Sequence, residues 1–493
     1  MVPAAYSILL LLVAGVSRFA ILSNDSFPLW WQASHLSFHD PGTFYNGFFP
    51  IGYPLLLRIA GIAHNPFVML EVLQILLASI YFQKSWALMR TSLGPRAAFI
   101  ALISVVFFPQ LVRAEFSAVP DFFAALFALL AFDKFTDNGR YSDRMAGVYL
   151  GLGLLVRTHI LILTIAILLA VLLGDSSTRR ERITYLLMGV IPFVVLQGLI
   201  QVWSGHSFFE NEQAFNVWKT MHGVDWTNPP GHFSATVFQV IGAEPSLFLH
   251  TYVSLVWSEL YIIIPLAAYL IVARRGNIWQ EYFIVTRRND IWWEHLKLLS
   301  LAALFYVFFT IPGGSSRSVL LVVPIVIVDL FVLLRSIIPS HFLSNSRIGM
   351  VLPLLAAAVL VAGTFMFLGA RDAARRVITY NDLQQALNLT RPGEASIVYS
   401  DDFALYFPEL RDAVPRRTGG WAELGLPRYL REYPHIPDSS AGAFYAALRQ
   451  DHIQYAVFRN PPIDKRALEY ARIDTLHFVP LPFDGPFAVY RVK

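Results

Sequence analysis

Apolar windows of about 18–22 residues recur along residues 1–370, the length needed to cross a hydrocarbon core about 30 Å thick. No water in such a core can satisfy backbone N–H and C=O groups, so each window must fold as a helix that bonds its own main chain. Strands of a membrane barrel would alternate in polarity over about ten residues, and these windows are continuously apolar. Charged residues make up 15% of the chain and hydrophobic ones 56%, against about 25% charged in a soluble domain. The fold class is therefore a polytopic α-helical membrane protein.

The windows predict about eleven spans, near 4–22, 66–88, 97–112, 116–132, 146–156, 160–173, 183–203, 250–272, 295–312, 318–335 and 349–369. Alternate loops separate by charge. One set holds Arg90, Arg96, Lys134, Arg140, Arg144, Arg179, Arg180, Arg182, Arg274, Arg275, Arg287, Arg288, Arg335 and Arg347. The other holds only Arg58, Arg113, Arg157, Lys219 and Arg317. By the positive-inside rule the first set faces the cytoplasm, which puts the N-terminus inside and the sparsely charged loops outside. Counting 146–173 as two short spans with an outer tip keeps every later loop in register with this bias. The net charge of +4 resides in these loops and does not point to nucleic acid. There is no cysteine, which excludes disulfides and thiolate metal sites. Val2–Leu22 has no basic leader and exceeds the length of a signal peptide core, so it reads as a retained span.

Residues 371–493 are charged and polar, with β-like runs at Ser396–Tyr399, Tyr455–Phe458 and Ala488–Tyr490. Helical patterns at Ala441–Gln450 and Lys465–Ile473 lie among them, so this tail is expected to form an extracytoplasmic α/β domain. It has neither a gapped glycine fingerprint nor a P-loop, and reads as a cap or docking module. Two sizeable outer loops are expected, 23–65 and 205–249.

The first of them begins NDSFPLWWQASHLSFHDPG and continues to Leu57. Asp25 falls about one turn beyond the first span, where a carboxylate meets the membrane–water interface. Trp30 and Trp31 are rings that favour the same level. The outer ends of the spans add Arg18, His39, Asp40, Arg113, Glu115, Asp121, Arg157, His159 and Arg317. Acids and bases converging at one interface can bind a phosphate and deprotonate a hydroxyl. Each alone could equally be a snorkelling surface charge.

Four landmarks carry a family resemblance: Asp25 after the first span, Asn46–Leu55 (NGFFPIGYPL), Arg113-Ala114-Glu115 followed by Pro120-Asp121, and Gly151–Thr158 (GLGLLVRT). Ser316-Arg317 before an apolar span with Pro324 adds a fifth. In order and sidedness they resemble the GT-C class of membrane glycosyltransferases, in the bacterial group related to protein O-mannosyltransferases and the aminoarabinose transferase of lipid A. The likeness covers about residues 1–370. It implies an inverting transfer of sugar from a polyprenyl-phosphate donor to an acceptor hydroxyl of an envelope lipid, glycan or protein. Asp25 matches the family's catalytic aspartate and would act as general base. Arg157, His159, Arg317 and Arg113 become candidates for the donor phosphate, and Glu115 and Asp40 for orienting the acceptor or serving as a second acid. Phosphate leaves without protonation, so the paired carboxylates of glycosidases are not needed. No cofactor is implied, and no Asp-x-Asp pair near Asp25 indicates a metal. The implied location is the cytoplasmic (inner) membrane with the site facing outward.

Two departures limit the carry-over. Ser26 follows Asp25 where some relatives have a second acid, and Phe48-Phe49 stand where the lipid A branch has Glu-Lys. The donor and acceptor of that branch therefore do not transfer. Glu71, Glu259 and Asp329 fall inside predicted spans, which keeps an ion-coupled transporter open. A scaffold subunit retaining the fold is the third reading.

Overall fold

The computed structural model of the chain describes residues 50–61, 66–106, 119–137, 139–174, 178–205, 237–274, 290–311, 318–337, 395–400, 403–407, 414–416, 440–450, 452–459, 466–485 and 487–493, short pieces of 29–45, and the isolated positions 108, 111, 114, 217, 220, 221, 385, 386, 388 and 389. Helices dominate. In chain order they are α1 (Gly52–Gly61), α2 (Pro66–Leu93), α3 (Pro95–Val106), α4 (Asp121–Thr136), α5 (Arg140–Val156), α6 (His159–Leu173) and α7 (Arg179–Trp203). Then follow α8 (Val237–Ala243), α9 (Pro245–Ser258), α10 (Leu260–Arg274), α11 (Asp290–Thr310) and α12 (Val323–Ile337). The predicted spans 4–22 and 349–369 lie outside the described residues.

Two described stretches, Val72–Leu93 and Arg179–Trp203, are long and apolar enough to cross a membrane, or three if the bent pair α9–α10 counts as one span. Helices of 15–17 residues such as α5 and α6 rise only about 22–26 Å. The α5–α6 pair bears out the expected two helices, with the break at Arg157-Thr158. Gly94 separates α2 from α3, because its φ of +77° ends the first helix and Pro95 opens the second.

Within the expected span 250–272 the chain bends by 80° between α9 and α10, at Ser258-Glu259. An apolar window measures only composition. The polar pair at its centre marks where the first helix stops, and Glu259 closes it with a backbone N–H to the Leu255 carbonyl at 3.1 Å.

Core packing uses small residues where backbones approach. α5 and α7 run parallel, with Gly147 against Leu186 and Gly189 against Arg144, and a Cβ at either glycine would run into the other helix's carbonyls. At the arginine-rich end of these helices Arg182 pairs with Asp143 at 3.0 Å, both side chains 4% exposed. The same guanidinium donates to the Phe135 carbonyl at 2.7 Å and lies 3.9 Å from the centre of the Phe135 ring. His295 of α11 meets the Thr136 carbonyl at 3.2 Å beside it. Four helices are thus joined at one end.

The tail contains a six-stranded sheet: β1 (Ala395–Ser400), β2 (Phe403–Phe407), β3 (Val414–Arg416), β4 (Ile453–Arg459), β5 (Phe478–Leu481) and β6 (Phe487–Val492), in the order β3-β2-β1-β4-β6-β5. Among these strands β1 and β4 pair in parallel and the other pairs are antiparallel. α13 (Ala441–Gln450) and α14 (Arg466–Ile473) match their expected ranges within a residue. The alternation of β4 and β6 gives the sheet two apolar faces. Ala456, Phe458, Tyr490 and Val492 pack beneath Phe444 and Leu448 of α13 and Leu468 of α14. Val457, Phe487 and Val489 point the other way, toward the helical part.

Arg182→Met is expected to leave Asp143 buried without its counter-charge and to destabilise the fold by about 3–5 kcal/mol. Thermal unfolding in detergent measures this, and the double variant Asp143→Leu/Arg182→Met is expected to recover most of the loss.

Candidate active site

The break between α5 and α6 is where the polar residues gather. Arg157 leaves the helix in an extended conformation (φ −149°, ψ 126°), with its N–H bonded to the Gly153 carbonyl at 2.8 Å. Its side chain turns to Asp121, the first residue of α4, with Nε 3.4 Å from Oδ1. These side chains are 13% and 6% exposed. A carboxylate in the first turn of α4 also meets the positive end of that helix dipole. His159 opens α6 and is buried.

The described pieces of residues 29–45 and helix α1 are folded against this break. Gly52 begins α1 so close to α5 that a Cβ there would stand 2.5 Å from the Leu155 carbonyl oxygen, two residues before Arg157. Tyr53 is fully buried, its ring edge-on to Phe123 at 5.9 Å. Arg58 of α1 donates to the Ala33 carbonyl at 3.0 Å, and Gln32 to the Phe44 carbonyl at 3.0 Å. The C-terminal end of α7 meets the same segment. Ser204 donates to the Pro41 carbonyl at 2.8 Å, and the Trp203 ring lies 4.9 Å from that of Phe44. Ser37 and Thr43 pin a tight turn, with the Ser37 N–H donating to Thr43 Oγ1 at 3.0 Å. His39 sits exposed in it. Gln74 of α2 donates to the Ala114 carbonyl at 2.9 Å.

A third layer comes from the tail. Ala386, Val457, Phe487 and Val489 share one apolar cluster with Leu29, Ala33, Tyr53, Leu57, Phe123 and Val156. The C-terminal sheet therefore rests on the segments that frame Asp121 and Arg157. That contact joins residues hundreds of positions apart, and nothing in local sequence signals it.

Of the residues expected at the site, Arg157 and His159 are described and lie at the helix break. Asp25, Asp40, Arg113, Glu115 and Arg317 lie outside the described residues. In the sequence Asp121 is one acid among several, and only the fold makes it the partner of Arg157. The available signal is its position after Pro120, where a helix begins. Among the described residues no group of three or more His, Asp or Glu lies together in a way that would hold a metal ion. Of the intramembrane acids, Glu259 stands at the α9–α10 bend, and the Glu71 side chain lies outside the described residues. Asp329 of α12 is fully buried near Ser300 and Tyr269. The Ser300 hydroxyl donates to the Leu296 carbonyl at 2.8 Å. In the tail, a hydrogen bond from His477 at 2.7 Å holds the Asp474 carboxyl below its usual range.

Residues 50–200 match the dolichyl-phosphate-mannose-protein mannosyltransferase family. The fold is similar to that of ArnT from Cupriavidus metallidurans bound to undecaprenyl phosphate. The TM-score is 0.50 at 13% identity, covering 99% of this chain and 97% of that one. A further similar structure is the archaeal oligosaccharyltransferase AglB from Archaeoglobus fulgidus in complex with an inhibitory peptide and a dolichol-phosphate. There the TM-score is 0.49 at 11% identity, covering 96% of this chain and 71% of that one. No curated protein matches the chain by sequence.

A double-mutant cycle on Asp121→Asn and Arg157→Gln is expected to return a coupling of about 0.5–3 kcal/mol in thermal unfolding, as for residues in one ion pair. Additive effects would mean that the two side chains stabilise the break independently.

Proposed function

We propose that this chain, a membrane protein that joins a GT-C fold to a segment of the mannosyltransferase family, is an inverting glycosyltransferase using a polyprenyl-phosphate-linked sugar. The observation that carries the reading is the overlap of the family segment with the helix break that holds Arg157 against Asp121. The proposed topology has about eleven spans over residues 1–370, in the cytoplasmic membrane. The site and an α/β domain from residues 371–493 face outward.

In this mechanism the acceptor hydroxyl loses its proton to Asp25 as its oxygen attacks the anomeric carbon. The bond from that carbon to the phosphate oxygen breaks, its electron pair leaves with the phosphate, and the configuration inverts. Arg157 would stabilise the departing phosphate, with Arg113, Arg317 and His159 as further donors. Glu115 and Asp40 would orient the acceptor. Phosphate needs no general acid to leave, so one base and a cationic frame suffice, and the reading assigns no cofactor.

A second reading is ion-coupled transport, and one observation favours it. Asp329 is an acid fully buried among apolar helices, with no ion-pair partner among the described residues. Membrane proteins keep such residues for ion or proton handling.

Cells carrying Asp25→Asn at matched expression are expected to lose one glycosyl mass from an envelope product and to accumulate a polyprenyl-phosphate sugar, as read by mass spectrometry. Arg157→Gln is expected to raise the KM for the lipid donor by about tenfold or more. If both glycan pools stay at the wild-type level in Asp25→Asn while Asp329→Asn abolishes the cellular phenotype, transport replaces transfer.

A further inference from the structure

The apolar stretch 250–272 has the composition of a span, yet its first half does not run as one. α9 meets α10 at 80°, and α10 is apolar along its length, with Ile264 and Ile271 57% and 60% exposed on the outside of the bundle. If α10 follows the membrane normal, α9 lies close to the membrane plane. Its height follows from its neighbours. Tyr252 donates from its hydroxyl to the Phe308 carbonyl in the last turn of α11 at 3.3 Å. The first turns of α11 lie at the other end of the bundle, where His295 meets Thr136. α9 is therefore at the end that carries Asp121 and Arg157.

Nine residues of α9 form three stripes, each with helical spacing, while Leu247 and Phe248 pack against Val240 of α8. Tyr252, Leu255 and Val256 pack inward on the main apolar core. Leu249, Val253 and Trp257 form an outward apolar stripe, 62%, 58% and 76% exposed. Ser246, His250 and Ser254 form an outward polar stripe beside it. A helix buried in protein has no use for the second stripe, and one that crosses a membrane has none for the third. The two together suit a helix that floats in an interface, with apolar side chains among acyl chains and polar ones toward water. Trp257, with its amphipathic indole, belongs at that level.

We infer that α9 is an interfacial helix whose Leu249–Val253–Trp257 stripe is seated in the acyl chains of the leaflet next to the candidate site, continuing the lipid-facing surface of α10. The stripe is a membrane-docking surface, and its partner is bilayer lipid.

The chain has no cysteine, so single-cysteine variants can be spin-labelled without a background. Labels at Leu249→Cys, Val253→Cys, Trp257→Cys, Ser246→Cys, His250→Cys and Ser254→Cys would be read by power-saturation resonance. The full chain would sit in phosphatidylethanolamine/phosphatidylglycerol vesicles, with oxygen and a water-soluble nickel chelate as probes. The expected result is one shared depth for the three apolar sites, about 5–10 Å below the headgroups, with high access to oxygen and low access to nickel. The three polar sites are expected to favour nickel. A depth that changes steadily by about 12 Å from 249 to 257 would make α9 part of a span. Exclusion of both probes from the apolar stripe would mean that protein covers it, and nickel access at all six sites would lift the helix into water. Each of these three results overturns the inference.

Discussion

Everything at the site end of this molecule depends on one interruption of helical hydrogen bonding. A backbone in lipid must keep its bonds within a helix, and irregular chain is tolerated only where protein surrounds it. At Arg157-Thr158 the helix stops, and protein does surround it: α1 packs on Leu155 through Gly52, Val156 is buried, and Asp121 supplies a counter-charge from the start of α4. An arginine held at 13% exposure is tolerable because of that carboxylate. The interruption thus places a mostly buried cation at a helix break.

The two ends of the bundle solve different problems with similar means. Arg182 and Asp143 are closed off at 4% exposure each and bonded further to Phe135, which makes them a clasp between helices. Arg157 and Asp121 are more open, and the pair is longer, 3.4 Å against 3.0 Å. Separating a buried, multiply bonded pair such as Arg182 and Asp143 leaves an uncompensated charge at a large cost. The tail packs on Phe123 and Val156, next to Asp121 and Arg157 in the sequence. One face of its sheet is spent on α13 and α14 and the other on Leu29, Ala33, Tyr53 and Leu57, so the sheet has apolar residues on both sides.

Much of this architecture is legible in the chain itself. The break at Arg157-Thr158 follows from charge bias alone, since a single crossing over 146–173 would invert every later loop. Strands β1, β4 and β6 and helices α13 and α14 show as short periodic patterns, and α13 coincides residue for residue. Features made of distant pieces are not legible in this way. Asp121 is visible as an acid but not as the partner of Arg157, because a helical hairpin lies between them. The 80° bend at Glu259 is hidden because an apolar window records which residues are present and says nothing of the direction they run. Strands β2, β3 and β5 pair only at sheet edges or next to them and are too short for alternation to show.

The sequence by itself determined the class and the family segment, because both rest on composition and order along the chain. Apolar length sets what must lie in lipid, and arginine counts set which loops stay behind. Tertiary structure alone decided which acid meets which base, where the chain bends between α9 and α10, and that the C-terminal sheet packs on Leu29, Ala33, Tyr53 and Leu57. Those outcomes depend on shape complementarity between surfaces hundreds of residues apart, such as Phe487 and Val489 against Tyr53 and Phe123, and no local pattern encodes such a fit.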